Sequence, residues 1–379
     1  MKKILSLFLC CLMVLTLTGC GGSSGDDITT YTYSSELDIK NLDSSDADDG
    51  CSLKAIHAVI DGLTKTDKKG NIVNAVAKSE ELSEDGLTHT YKLRKDVKWT
   101  NGDPVTAHDF VYAWQRIFRK KGSYYYMFAD GIASIEGAQE LSDKIDAGEE
   151  LADDDLNSMG VKAIDDYTLE VKTTVRVSFF DELMAFPCFF PINEKFCEKQ
   201  GDKYGKSAKA ILGNGAFIMT NWEPGSIAEF KKNDDYYEAK TVKIEKLVMK
   251  LVQDPKVAAQ SFMAGETDYA PITSDLVDKY KDDESFKQVP EGFLYYLSVN
   301  FQNEDLANAN IRQAVSLSIN RKDLCEKVLK DGSSAATGFI PKGVATSPDG
   351  KDFREESGTY ITYSQSKAQQ ALDRGLKEL

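Results

Sequence analysis

Apolar positions along this chain recur with two periods, and the period separates helix from strand. Leu53, Ile56, Val59, Ile60 and Leu63 return every three or four residues, which is the spacing of one helical face, and Gly62 marks its stop. Leu87, His89, Tyr91 and Leu93 alternate with Thr88, Thr90 and Lys92, as a half-buried strand requires. Residues 28–33 alternate in the same way. Lys68-Lys69-Gly70-Asn71 is a turn, and Asn101-Gly102-Asp103-Pro104 is another. Thr106-Ala107-His108-Asp109 then forms a capping box, with Asp in place of the usual Glu. Phe110, Trp114, Ile117 and Phe118 line one face of the helix it opens. A further helix is expected over 135–146, and a hairpin about Asp165-Asp166 joins two strands.

Further along, residues 244–252 have strand composition and Asp254-Pro255 reads as an N-cap with proline at the first helical position. That helix runs to Ala264 and stops at Gly265, and residues 267–270 form a second strand. A strand-helix-strand of this length predicts a parallel pair joined by a right-handed crossover. Another strand is expected over 293–301, and helices over 310–319 and 322–330. The pattern is mixed α/β, and 379 residues are too many for one compact core.

The amino terminus changes the picture. Lys2 and Lys3 precede an apolar run over 4–17, too short for the roughly 20 residues that a spanning helix needs but suited to a secretory leader. It ends in Leu17-Thr18-Gly19-Cys20, which looks like a bacterial lipobox. Small residues let the cleavage site lie extended, and Cys20 offers the thiol for a diacylglycerol. Residues 1–20 are thus expected to be a lipoprotein signal peptide, and the Gly/Ser/Asp-rich stretch 21–27 a flexible tether.

Charge and cysteine usage narrow the function class. A net charge of −15 argues against nucleic acid as partner. Cys51, Cys188, Cys197 and Cys325 are too few for a disulfide scaffold; Cys188 and Cys197 are either a pair or two buried thiols. His57, His89 and His108 sit in no metal-ligand spacing, and neither a GxSxG elbow nor a P-loop occurs. No enzyme, metal or cofactor is expected. The acidic pairs Asp48-Asp49 and Asp234-Asp235 read as surface.

The segment from Tyr91 through Trp99, Gly102 and Thr106 to Asp109 and Trp114 resembles the signature of the family 5 extracellular solute-binding proteins. Three more blocks agree in order. Gly213-Asn-Gly215-Ala-Phe217 leads to Trp222 and Asn233-Asp-Asp-Tyr236-Tyr237. Phe262-Met-Ala-Gly265-Glu-Thr-Asp268 follows, then Asn310-Ile-Arg-Gln-Ala-Val315 with Ile319-Asn320-Arg321. Physical roles can be read beside the resemblance. Trp99 ends a strand at a tight turn and packs on the capped helix, while Gly213 and Gly215 permit a bend before the Phe217 strand.

The resemblance implies a two-lobed periplasmic-binding-protein type II fold with an inserted subdomain. Its first lobe covers 28–60 and 185–286, its insert 61–184 and its second lobe 287–379. It implies a lipid-anchored receptor, facing the extracellular or periplasmic side, that captures oligopeptides in an inter-lobe cleft and delivers them to ABC permease subunits. Ligand-facing residues carried over by position are Asp48, Asp49, Gly50, Tyr124, Tyr125 and Tyr295. The same fold binding nickel, haem or a sugar is an alternative, as is a non-transporting surface or sensory lipoprotein. Residues 363–379 resemble a helix from within the second lobe. The expectation is therefore a truncated product with that lobe incomplete, or lobes that bind differently.

Overall fold

The computed structural model describes residues 29–289, 291–347 and 349–379. The leader, Cys20, the tether and Ile28 lie outside the described residues. Among the described residues the strands are β1 (Thr30–Ser35), β2 (Thr64–Thr66), β3 (Ile72–Asn74), β4 (Ala77–Leu82) and β5 (Thr88–Leu93), followed by β6 (Val161–Asp165), β7 (Thr168–Lys172), β8 (Phe217–Glu223), β9 (Ile227–Lys232) and β10 (Lys246–Leu251). The principal helices are α1 (Gly50–Val59), α2 (Ala107–Arg119), α3 (Ala138–Asp146), α4 (Pro255–Met263), α5 (Ala309–Ser318) and α6 (Gln365–Glu378).

Two compact units result. One holds the described residues up to Asp254 with Ser261–Ala270, and the other holds Pro255–Gln260 with Pro271–Leu379. The first unit contains two four-stranded sheets. In one the order is β1-β10-β9-β8, with β1 parallel to β10 and the remaining pairs antiparallel. The other is antiparallel throughout, in the order β4-β5-β7-β6, and β2 pairs with β3 alone.

Each sheet has its own core. Against β4-β5-β7-β6 packs the apolar face of α2, and Phe110, Trp114, Ile117 and Phe118 are fully buried there. The Thr106 N–H donates to Asp109 Oδ2 at 2.7 Å, so the Asp-based capping box starts this helix as expected. Trp114 donates its indole N–H to the Phe189 carbonyl at 2.9 Å and meets Phe128 and Phe189 edge-on. Fully burying each such side chain is worth about 1.5–3 kcal/mol. Trp99 is buried at the turn where Gly102 takes φ of 92°. The second core joins the β1-β10-β9-β8 sheet to α1 through Leu42, Ile56, Ile60, Phe190, Phe230 and Met249.

Some boundaries differ from the sequence pattern. α1 ends at Val59 because Ile60 is already extended, with φ −133° and ψ 131°. Gly62 instead makes room for Phe190, whose ring would lie 2.5 Å from a Cβ there. α3 begins at Ala138, since Gly137 is left-handed (φ 79°) and Ile135 bridges Thr173. After α4, residues 267–270 give one parallel bridge, Tyr33 to Tyr269, rather than a strand. β1 stands between that bridge and β10, so the expected direct pair is interrupted by a strand from the start of the chain.

In the second unit α5 packs on α6. Ile311, Ala314, Ala368 and Ala371 are buried there, and a Cβ on Gly375 would lie 2.6 Å from Ile311 Cδ1. Asn308 caps α5 through the Asn310 and Ile311 amides. Residues Arg321–Asp323 and Leu324–Leu329 are helical, the latter widened to π geometry. Residues 293–301 form no strand. A strand needs a ladder partner to be stable, and this segment has none among the described residues. Cys188 and Cys197 are separate buried thiols.

Candidate functional site

From β1 to α1 the chain runs through an irregular loop that ends in three of the candidate ligand residues. Asp49 is the N-cap of α1. Its Oδ1 accepts from the Cys51 N–H at 3.1 Å and the Ser52 N–H at 2.9 Å, and its Oδ2 accepts from the Ser52 hydroxyl at 2.6 Å. Amides at a helix start lack intrahelical acceptors, so this carboxylate is committed to them. Ser52 Oγ in turn accepts from the Lys40 and Asn41 amides at 2.9 and 3.2 Å. Asp48 is exposed, and its carboxylate has no hydrogen-bond partner among the described residues.

Tyr124 reaches this loop. Its hydroxyl lies 3.5 Å from the Asp48 carbonyl oxygen, and Phe186 meets its ring edge-on at 5.2 Å. Burial, and then the charges of Tyr126 and Asp48, raise its phenol above the ordinary tyrosine value. The structure thus brings Asp48, Asp49, Gly50 and Tyr124 together. Tyr125 does not join them, because its hydroxyl donates to Asp146 Oδ1 at 2.6 Å at the end of α3. Tyr295 belongs to the second unit and is 91% exposed.

The residues that hold the loop were not singled out in the sequence. Arg116 of α2 donates to Asp43 Oδ1 at 2.7 Å and Oδ2 at 2.8 Å, with both residues buried. Lys120 Nζ lies 3.5 Å from the same carboxylate. A signal exists in the pattern: Arg116 shares the buried stripe of α2 with Tyr112 and Ala113, and a cation there needs a buried partner.

The Gly213 and Asn233 blocks prove to be joints. A Cβ on Gly213 would lie 2.1 Å from the Val59 carbonyl oxygen, and one on Gly215 2.7 Å from the Val59 carbonyl carbon. The chain does bend at residues 215–216 just before β8, as read from the sequence, and the glycines also allow close approach to the end of α1. Asn233 donates to the Gly215 carbonyl at 2.9 Å. Tyr236 and Tyr237 both donate to Asp61 Oδ2, at 2.6 and 2.7 Å, and Lys65 Nζ sits 2.9 and 3.1 Å from their hydroxyls. The charge of Asp61, second to burial, raises both phenols well above the ordinary value.

Among the described residues no cluster of three or more His, Cys, Asp or Glu side chains could hold a metal ion, and no helix is long and apolar enough to cross a membrane. His108 is exposed, 3.5 Å from Asp166. His89 is buried, with Nδ1 2.5 Å from Glu80 Oε1.

Comparison with known proteins gives the family and the fold. The model of the bacterial extracellular solute-binding proteins, family 5 Middle, matches residues 71–378. The dipeptide-binding protein DppE of Bacillus subtilis is 34% identical over 86% of this chain and 58% of its own length. The oligopeptide-binding protein OppA of the same organism is 31% identical over 100% of this chain and 70% of its own. Listeria monocytogenes OppA, solved with bound peptide, superposes with a TM-score of 0.79 at 31% identity, covering 93% of this chain and 69% of that one. The chain thus spans between about three-fifths and seven-tenths of these relatives. The fold is the type II binding-protein fold, and the family binds solutes rather than converting them. On the match over residues 71–378, the chain belongs to the bacterial extracellular solute-binding proteins of family 5.

Proposed function

We propose that this chain is the substrate-binding component of a peptide ABC importer, capturing oligopeptides outside the cytoplasmic membrane for delivery to permease subunits. The observation that carries the reading is the loop ending at Gly50. It is held by the Arg116–Asp43 pair, it lies beside Tyr124, and it offers at Asp48 a carboxylate with no hydrogen-bond partner among the described residues. Such a group suits a peptide amine or a basic side chain, while exposed main chain suits backbone hydrogen bonding, which accepts many sequences. Relatives named for dipeptide and oligopeptide binding support peptides over nickel, haem or sugars.

In this reading Asp48, Asp49, Gly50 and Tyr124 form one wall of the peptide site, Asp49 and Gly50 through their main chain, and Tyr295 is a further ligand contact. The first lobe comprises residues 28–60 and 185–286, the insert 61–184 and the second lobe 287–379. Cys20 carries the lipid that anchors the receptor to the cell membrane. Titration calorimetry with a tri- to hexapeptide library tests the ligand class. Heat from nickel or sugars but none from peptides would replace it. A Cys20→Ala variant tests the anchor and should be either unprocessed or shed from membranes; unchanged retention together with a wild-type Cys20 found unmodified by mass spectrometry would remove it.

A further inference from the structure

The loop that carries Asp48 has almost no regular structure, yet it is held from several sides within the first unit. Asp43 is 2% and Arg116 8% exposed. The guanidinium fork takes both carboxylate oxygens, and Asp43 Oδ1 also accepts from the Ser45 N–H at 3.1 Å. Asp46 and Ala47 donate their amides to the Asp43 carbonyl at 2.9 and 2.8 Å, so the turn toward Asp48 is folded on Asp43 itself. Just beyond the end of α2, Gly122 lets the Ser45 carbonyl oxygen approach to where a Cβ would lie only 1.8 Å away. On the other side Gly205, at φ 73°, faces the Asp43 amide and accepts from the Leu42 N–H at 2.8 Å. The Arg116 guanidinium lies 5.2 Å over the Tyr204 ring.

A buried ion pair is a poor way to gain stability, because removing two charges from water costs about what their attraction returns. What a bidentate fork does supply is orientation, since two parallel hydrogen bonds admit one geometry where an apolar contact admits several. We propose that Arg116, acting through Asp43, is a positioning residue that sets the Asp48–Gly50 end of this loop for peptide. The role rests on the peptide-binding reading above. Neither residue touches the peptide; they decide where Asp48 stands when it arrives.

Arg116→Lys keeps the charge and loses the fork, and Asp43→Asn keeps the shape and loses the charge. Arg119→Ala, which removes only the exposed pair with Asp153, is the control. Each is made in the full chain and measured at a temperature where it is folded. The tightest member of a tri- to hexapeptide library serves as probe in calorimetry, and hydrogen exchange is followed at the Asp46 and Ala47 amides. The expected result is about a tenfold or greater rise in Kd for both loop variants, with faster exchange confined to this loop and no change in Arg119→Ala. Folded loop variants with unchanged Kd and exchange would overturn the role. So would failure of both to fold, since the pair would then be a stability element only. A wild-type chain that binds no library peptide overturns the function itself, and that is seen before any variant is compared.

Discussion

The side-chain amide of Asn214 is bonded twice to the backbone of Asp61: Oδ1 accepts from its N–H at 2.9 Å, and Nδ2 donates to its carbonyl at 3.2 Å. Asn214 is 1% exposed, so bulk water does not compete for these groups in the folded chain. Asn214→Ala leaves two buried backbone groups unpaired, at about 1–3 kcal/mol each. A destabilisation of about 2–6 kcal/mol is expected in urea unfolding, and a loss under 1 kcal/mol would show that the joint is not needed.

The neighbouring glycines give a second test. Gly213→Ala and Gly215→Ala drive a methyl into the Val59 carbonyl group, and overpacking of this kind costs about 1–3 kcal/mol or more. Gly50→Ala meets nothing within 4 Å and needs no left-handed backbone, so its melting temperature should hold or rise. Equal effects at all three positions would contradict the packing described.

Asp109 supplies a pH dependence with a defined sign. Burial, partly opposed by the Thr106 hydrogen bonds, pushes its carboxyl up to about 6, against about 3.9 for a free aspartate. Between these values the folded chain holds a proton that the unfolded chain has released. This contribution is therefore full below about pH 4 and lost as pH rises through about 6. Asp109→Asn lacks it. Wild type should gain on that variant by about 1–3 kcal/mol as pH falls from 8 to 4. Parallel pH–stability curves would show that Asp109 does not titrate in this range.

Asp48 should matter for binding and not for stability. Its carboxylate is exposed and has no hydrogen-bond partner among the described residues, so Asp48→Asn should leave the melting temperature within a degree or so, as surface substitutions usually do. Peptide affinity should fall about five- to tenfold, the worth of one charge-assisted hydrogen bond. Equal affinity would remove Asp48 from the ligand wall.

The segment around Phe293 carries an association tendency. Val289, Phe293, Tyr295 and Leu297 are 73%, 73%, 91% and 68% exposed, on an apolar stretch of strand composition without a ladder partner among the described residues. Such segments pair with copies of themselves. Sedimentation should reveal concentration-dependent association, reduced in a Phe293→Asp/Leu297→Asp variant. A wild-type chain that stays monomeric at high concentration would contradict this.

Much of the architecture was legible in the residues. The Thr106–Asp109 box and the Phe110, Trp114, Ile117 and Phe118 stripe announced α2 because helix starts and amphipathic faces are local signals, read within a few residues of one another. The resemblance of four ordered blocks likewise announced the family. Which strand lies beside which was not legible: β1 enters between β10 and Tyr269, and nothing near residue 250 encodes a neighbour from residue 30. The jobs of Gly213, Gly215 and Asn214 depend on α1 ending against them, more than 150 positions away in the chain. For the candidate site, the resemblance pointed to Asp48, Asp49, Gly50, Tyr124, Tyr125 and Tyr295, but not to Asp49 as a helix cap or Tyr125 as a partner of Asp146. It was silent on Asp43 and Arg116, whose pairing spans 73 positions. Local propensity and periodicity are properties of short windows, whereas a buried ion pair and a close backbone approach exist only once distant segments have packed.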